Sequence, residues 1–151
     1  MKLEIYGADN LNFVELNITG DNDNYVRCAP ESKFIDSIVF NIFSPCFENA
    51  NKLFDFFEST KYNSRKIIPL RNELIKNLAS FEKVTTIETF IAIFARKFLG
   101  KDFLEELVKQ DPEWRHKWVD YMNKLREINR ELIALTEKCA DEEKILWVIG
   151  Y

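Results

Sequence analysis

Trp114, Trp118, Tyr121, Leu125, Ile128, Leu132, Leu135 and Cys139 follow one another at intervals of 4-3-4-3-4-3-4. That spacing holds one stripe of an α-helix on one side. It predicts a helix opened by Asp111-Pro112 and running to about Ala140, roughly 40 Å long at about 1.5 Å per residue. Such a rod needs either a partner helix or a core of its own chain.

The flanking positions decide between the two. With Trp118, Leu125, Leu132 and Cys139 at a, the g positions are Lys117, Lys124, Glu131 and Lys138, and the e positions are Arg115, Met122, Asn129 and Thr136. A parallel homodimer wants opposite charges across g and e, and almost none would pair. Val119 and Ile133 also widen the apolar face beyond a coiled-coil stripe. The seam is therefore expected to face the chain's own core, with the protein monomeric in isolation. Burying the eight side chains would contribute on the order of 10–20 kcal/mol before conformational entropy.

The rest of the chain supplies that core. Val14, Leu16 and Ile18 alternate with Glu15, Asn17 and Thr19, the period of a strand buried on one face. Gly20 to Asn24 is a turn cluster, from which Tyr25 to Ala29 is expected to return as a second arm. Lys2 to Tyr6 is a candidate edge strand. Phe34, Ile35, Ile38, Val39, Ile42 and Phe43 recur in pairs at helical spacing, opposite Lys33, Asp36, Ser37 and Asn41, although their β-branched content would also suit a strand.

Ser44-Pro45 is expected to end that helix and start another, carrying Phe47, Ala50, Leu53, Phe54 and Phe57 to about Glu58. Residues 59–68 read as a polar connection. Pro69 opens the next predicted helix, with Leu70, Leu74, Leu78 and Phe81 inward. Thr85 and Glu88 suggest a capping box for a helix with Ile87, Phe90, Ile91, Phe94 and Phe98 inward, stopped by Gly100. Asp102 and Glu105 suggest another box, before Phe103, Leu104, Leu107 and Val108. Ile145 to Ile149 reads as a buried strand.

These pieces predict an α+β fold, predominantly α. A small N-terminal antiparallel sheet, which the C-terminal strand can join, packs on five or six helices including the long one near 112–140. At 151 residues, 46% apolar and 30% charged, a single domain over 1–151 is expected.

The chain offers little chemistry. Its four glycines are isolated, so no phosphate loop or dinucleotide fingerprint can be built. Its one histidine, His116, lies off the seam, and there is no His-rich or paired-Cys metal spacing. Asp21 to Asn24 resembles the start of a calcium loop, but Val26 and Ser32 stand where Gly and Glu are required. No metal, cofactor or catalytic constellation is expected.

Cys28, Cys46 and Cys139 are too few and too scattered for a disulfide framework, which suits buried reduced thiols. Cys46, after Ser44-Pro45 at a predicted helix start, is the best candidate nucleophile, though its aromatic neighbours favour a protonated thiol. Lys61, Arg65, Lys66 and Arg71 surround Tyr62, a weak nucleic-acid signal on an acidic protein. The longest apolar run, Phe90 to Ala95, is far too short to span a bilayer. With no leader pattern at the N-terminus, a cytoplasmic protein is expected.

Charge is uneven. Residues 1–60 hold ten acids and four bases, whereas residues 61–151 hold fifteen acids and seventeen bases. An acidic end disfavours nucleic acid and suits a basic protein partner. The leading expectation is a non-enzymatic protein-binding protein, of the immunity or inhibitor type that neutralises a basic partner such as a toxin. Asp21, Asp23, Glu31 and Asp36 are its candidate contact residues. The alternatives are a small enzyme using carboxylates or Cys46, and an assembly subunit using the heptad face.

Overall fold

The computed structural model describes residues 1–7, 13–97 and 99–150. The chain runs β1 (Ile5–Tyr6), β2 (Phe13–Asn17), β3 (Lys33–Asp36), α1 (Ser37–Ala50), β4 (Ser59–Tyr62), α2 (Ile67–Glu82), α3 (Ile87–Ala95), α4 (Gly100–Gln110), α5 (Trp118–Asp141) and β5 (Leu146–Gly150). The strands form one antiparallel sheet in the order β1-β3-β2-β5-β4. The fold is α+β and mainly helical, as the sequence predicts, and β5 does join the N-terminal strands. Among the described residues no helix is long and apolar enough to cross a membrane.

The register fixes the two faces of the sheet. Val14 opposes Ile35, Leu16 opposes Val148, and Tyr62 opposes Leu146. All of these point into the apolar cluster shared with the helices. Glu15 opposes Phe34 and Ile149, and Asn17 opposes Trp147, on the other side.

That second face overturns a simple alternation, because Glu15 and Asn17 are fully buried. The loop from Ile18 to Ser32 folds over them. Glu15 Oε1 accepts from Cys28 N (2.9 Å), Ser32 Oγ (2.7 Å) and Asn17 Nδ2 (2.9 Å), and Asn17 Nδ2 also donates to Val26 O (2.6 Å). Those side chains hold the 25–29 backbone across the sheet rather than along it, and Cys28 is left-handed at φ 51°. Tyr25 to Ala29 is thus a roof and not the second arm of a hairpin.

The 34–43 segment divides. Phe34 and Ile35 belong to β3, and Asp36 then caps α1 by accepting from Ile38 N (3.0 Å). Pro45 does not break α1. It deprives Asn41 O of its helical donor, and Ser44 Oγ supplies one at 3.3 Å, while Lys97 Nζ donates to the next carbonyl, Ile42 O. The helix stops at Ala50 because Asn51 turns the chain, its side chain accepting from Leu53 N and donating to Lys61 O. Residues 59–62 then make an edge strand where a polar connection was expected.

Smaller shifts have local causes. α2 starts at Ile67, leaving Pro69 in the first turn where no N–H is needed. Thr86 and Thr89 form the capping box of α3, one residue past the Thr85 expected. Gly100 opens α4 instead of closing α3, since a Cβ there would stand 2.2 Å from Phe94 O. α4 begins without the expected Asp102 side-chain cap, and Val108 is half exposed. Phe98, expected inward, lies outside the described residues.

The long helix begins at Trp118, later than predicted, because residues 111–117 form successive tight turns pinned by Asp111. Trp114 is buried all the same. Leu125, Ile128, Leu132 and Cys139 face inward, whereas Tyr121 and Leu135 are only half-buried and Met122, Asn129 and Thr136 are buried in their stead. The stripe is rotated toward α2, its main neighbour. Asn129 explains the rotation: its Nδ2 donates to Leu74 O (2.9 Å) and its Oδ1 accepts from Asn77 Nδ2 (2.7 Å).

Candidate functional site

The four candidate acids do not form one patch. Asp21 and Asp23 sit together on the exposed turn after β2, where Asp21 Oδ1 accepts from Asp23 N and Asn24 N, each at 2.8 Å. Those bonds hold the Asp21 carboxyl below the usual carboxylate range. The turn is anchored underneath: Trp147 Nε1 donates to Asp21 O (2.9 Å), Lys61 Nζ donates to Asn22 O (2.6 Å), and Tyr25 packs on the Trp147 ring. A Cβ at Gly20 would meet Asn24 O at 2.5 Å and Trp147 Nε1 at 2.8 Å, so the turn closes only around glycine.

Asp36 is committed elsewhere. Besides capping α1, its carboxylate accepts from Lys2 N (3.2 Å) and lies 3.8 Å from the Met1 ammonium. Glu31, beyond the opposite end of β3, is on the wall of a cleft of about 630 Å³ beside Lys33, Lys138 and Lys144. It stands among cations and away from the acidic turn.

A second feature lies at the other end of β4. The loop 51–58 presents Leu53 and Phe57 to solvent at 84% and 86% exposure, while most large apolar side chains are buried. Sequence periodicity placed both on the inner face of a helix, because Leu53, Phe54 and Phe57 keep helical spacing and the Asn51 turn has no apolar signature. Phe54 and Phe56 do fold inward, against Phe40.

The loop is braced. Leu53 N donates to Asn51 Oδ1 (3.2 Å), Phe54 N to Asn51 O (3.0 Å), Asp55 N to Thr60 Oγ1 (3.1 Å) and Phe57 N to Asp55 Oδ1 (2.9 Å). Gly150 lets it lie close, since a Cβ there would be 2.0 Å from Phe56 O. Glu48, Asp55 and Glu58 flank the two apolar tips, against Lys52 alone. β4 spans about 10 Å at roughly 3.3 Å per residue, so the apolar loop and the Asp21–Asn24 turn bracket one edge of the sheet.

Other sequence candidates are accounted for. Cys46 is buried, its Sγ 3.7 Å from Glu73 O, and burial pushes its pKa up to about 12, far from a thiolate at neutral pH. Cys139 is likewise buried, and raised to about 11. Cys28 is exposed, contrary to the expectation of three buried thiols, and all three are free. His116 is solvent-facing, 3.9 Å from Glu113. Tyr62 is buried with its hydroxyl donating to Phe47 O (2.8 Å), which leaves the basic stretch around it without a stacking platform. Among the described residues no group of three or more His, Cys, Asp or Glu could hold a metal.

No protein-family model matches the chain, and no curated protein or solved structure is similar to it.

Proposed function

We propose that this chain is a protein-binding protein of the inhibitor or immunity type, docking a basic partner through the β4 edge of its sheet. The observation that carries the reading is the braced loop with Leu53 and Phe57 exposed at 84% and 86%. Isolated surface leucines need no explanation, but two large apolar side chains held out on one short, hydrogen-bonded loop are a ready anchor. Binding energy concentrates in such anchors when they fill a pocket and a polar rim excludes water. Because the loop is already ordered, little entropy is lost on docking.

The rim selects the partner. Glu48, Asp55 and Glu58 surround the anchor, and Asp21 and Asp23 extend the negative charge to the far end of β4. Such a field speeds encounter with a basic surface and repels an acidic one. A stable complex needs about 800 Å² on each side, more than one loop supplies, and the strand edge and acidic turn provide the remainder. Glu31 and Asp36 fall outside this surface.

Affinity capture from the native cell tests the proposal, with the wild type compared against Leu53→Ser/Phe57→Ser and against Asp23→Asn/Asp55→Asn/Glu58→Gln. The wild type is expected to retain a partner with a basic surface. The apolar pair should abolish retention, and the acid triple should weaken it while flattening its salt dependence. Equal recovery by all three proteins, each with an unchanged circular dichroism spectrum, would remove the β4 edge as the docking surface.

A further inference from the structure

We propose that a pocket between α2 and α3, on a part of the molecule the docking surface does not use, binds a small phosphomonoester with an apolar body. The pocket holds about 270 Å³. Its apolar wall is Phe81, Val84, Ala92 and Ile93, and its cations are Lys83, Arg96 and Lys97. No carboxylate lines it.

Three positive charges around one concavity are unusual on a chain of net charge −4. None of the three forms an ion pair with a described residue. Mutual repulsion and the low dielectric of a concave wall both favour an anion there.

Lys97 makes the strongest demand. Its ammonium packs over the Phe81 ring at 5.4 Å and, among the described residues, donates only to Ile42 O. An ammonium carries three donors, so capacity remains for a ligand. Burial lowers its pKa to about 8, the mark of a charge short of compensation.

The local backbone favours an anion as well. The carbonyls at the end of α2 would repel one, but Arg126 covers them, its guanidinium donating to Phe81 O (2.9 and 3.3 Å) and Val84 O (3.0 Å). Ser80, also on the wall, adds a hydroxyl.

The ligand class follows from this count. A phosphomonoester carries about −1.5 to −2 charge near neutrality and presents three acceptor oxygens. It can take the planar fork of Arg96 and single donors from Lys83 and Lys97 together. A monocarboxylate would leave two of the three cations uncompensated. The apolar wall requires a hydrophobic group on the ester, of a size to be enclosed in the pocket.

Titration calorimetry with phenyl phosphate, inorganic phosphate and phenol separates charge from apolar recognition. Phenyl phosphate is expected to bind saturably, with one molecule per chain and at least about tenfold tighter than either fragment. Arg96→Gln and Lys83→Gln, both at exposed positions, should each weaken it by about tenfold without altering the fold. Failure to saturate at about 10 mM, equal binding of either fragment, or wild-type affinity in the Arg96→Gln/Lys83→Gln double variant would each overturn the proposal.

Discussion

The two faces of the sheet are about equally dry, yet they exclude water by different means. Val14, Leu16, Ile35 and Val148 meet the helices through area alone. Glu15 and Asn17, on the same strand and equally buried, are covered by a loop that their own side chains hold down. An apolar face is tolerant, since any well-shaped hydrocarbon can fill it. A polar face is exacting, because each donor left unmatched carries the full penalty of its desolvation. Local order in the 25–32 loop therefore depends on a few atoms of β2.

That contrast can be broken at its centre. Leu16→Ala, at a fully buried site, should destabilise the protein by about 3–5 kcal/mol, read from chemical denaturation as one cooperative transition. Glu15→Ala strands the amide of Cys28 and the hydroxyl of Ser32, at about 2–3 kcal/mol. The sharper reading is hydrogen exchange. Glu15→Ala should free the amides of 25–32 while leaving the helices protected, whereas Leu16→Ala should lower protection everywhere. Loss of protection in the helices on Glu15→Ala would make the two faces one cooperative unit.

Alkaline pH should act on the helical side. Cys46 and Cys139 titrate at about 12 and 11 when folded, against 9.0 ordinarily, so the unfolded chain releases those protons first. Their contribution is complete below about pH 9 and is lost as pH rises toward 11–12. Lys97 works the other way, releasing its proton near 8 when folded and near 10.5 otherwise, which raises stability across that interval. Two thiols outweigh one amine, so a net loss of about 2 kcal/mol is expected between pH 9 and 10.5. Cys46→Ala/Cys139→Ala should reverse that slope in urea midpoints, and an unchanged slope would refute the assignment.

The smallest effect belongs outside both faces. Leu53→Ser/Phe57→Ser should shift stability by no more than about 0.5 kcal/mol, because those side chains are already in water. A larger loss would mean the loop is part of the core, and would count against its role as an anchor.

The elements legible in the sequence were those whose pattern is local and periodic. α5, α2 and β5 each bury a stripe or run readable within one segment. Phe34 and Ile35 misled because a pair at helical spacing is also two adjacent strand positions. What decides is the Asp36 cap one residue later. Glu15 and Asn17 read as solvent-facing because hydrogen bonds to residues up to 17 positions away leave no trace in composition. The candidate acids divided for the same reason: Asp23 is an exposed charge, whereas Asp36 spends its carboxylate on amides that no sequence pattern marks. The Leu53–Phe57 loop was missed because Asn51, one polar residue, converts an apparent inner face into a display.

The strand order also sets a schedule. β5 is the last strand made, yet it lies between β2 and β4, pairing Val14 with Gly150 and Ser59 with Ile149. Until it emerges from synthesis, β2 has one open edge and β4 has no partner at all. Pairings so distant along the chain close slowly, and open edges recruit other chains while they wait. A nascent chain ending after α5 would carry every helix and four of the five strands without a continuous sheet, and would be the form most exposed to aggregation.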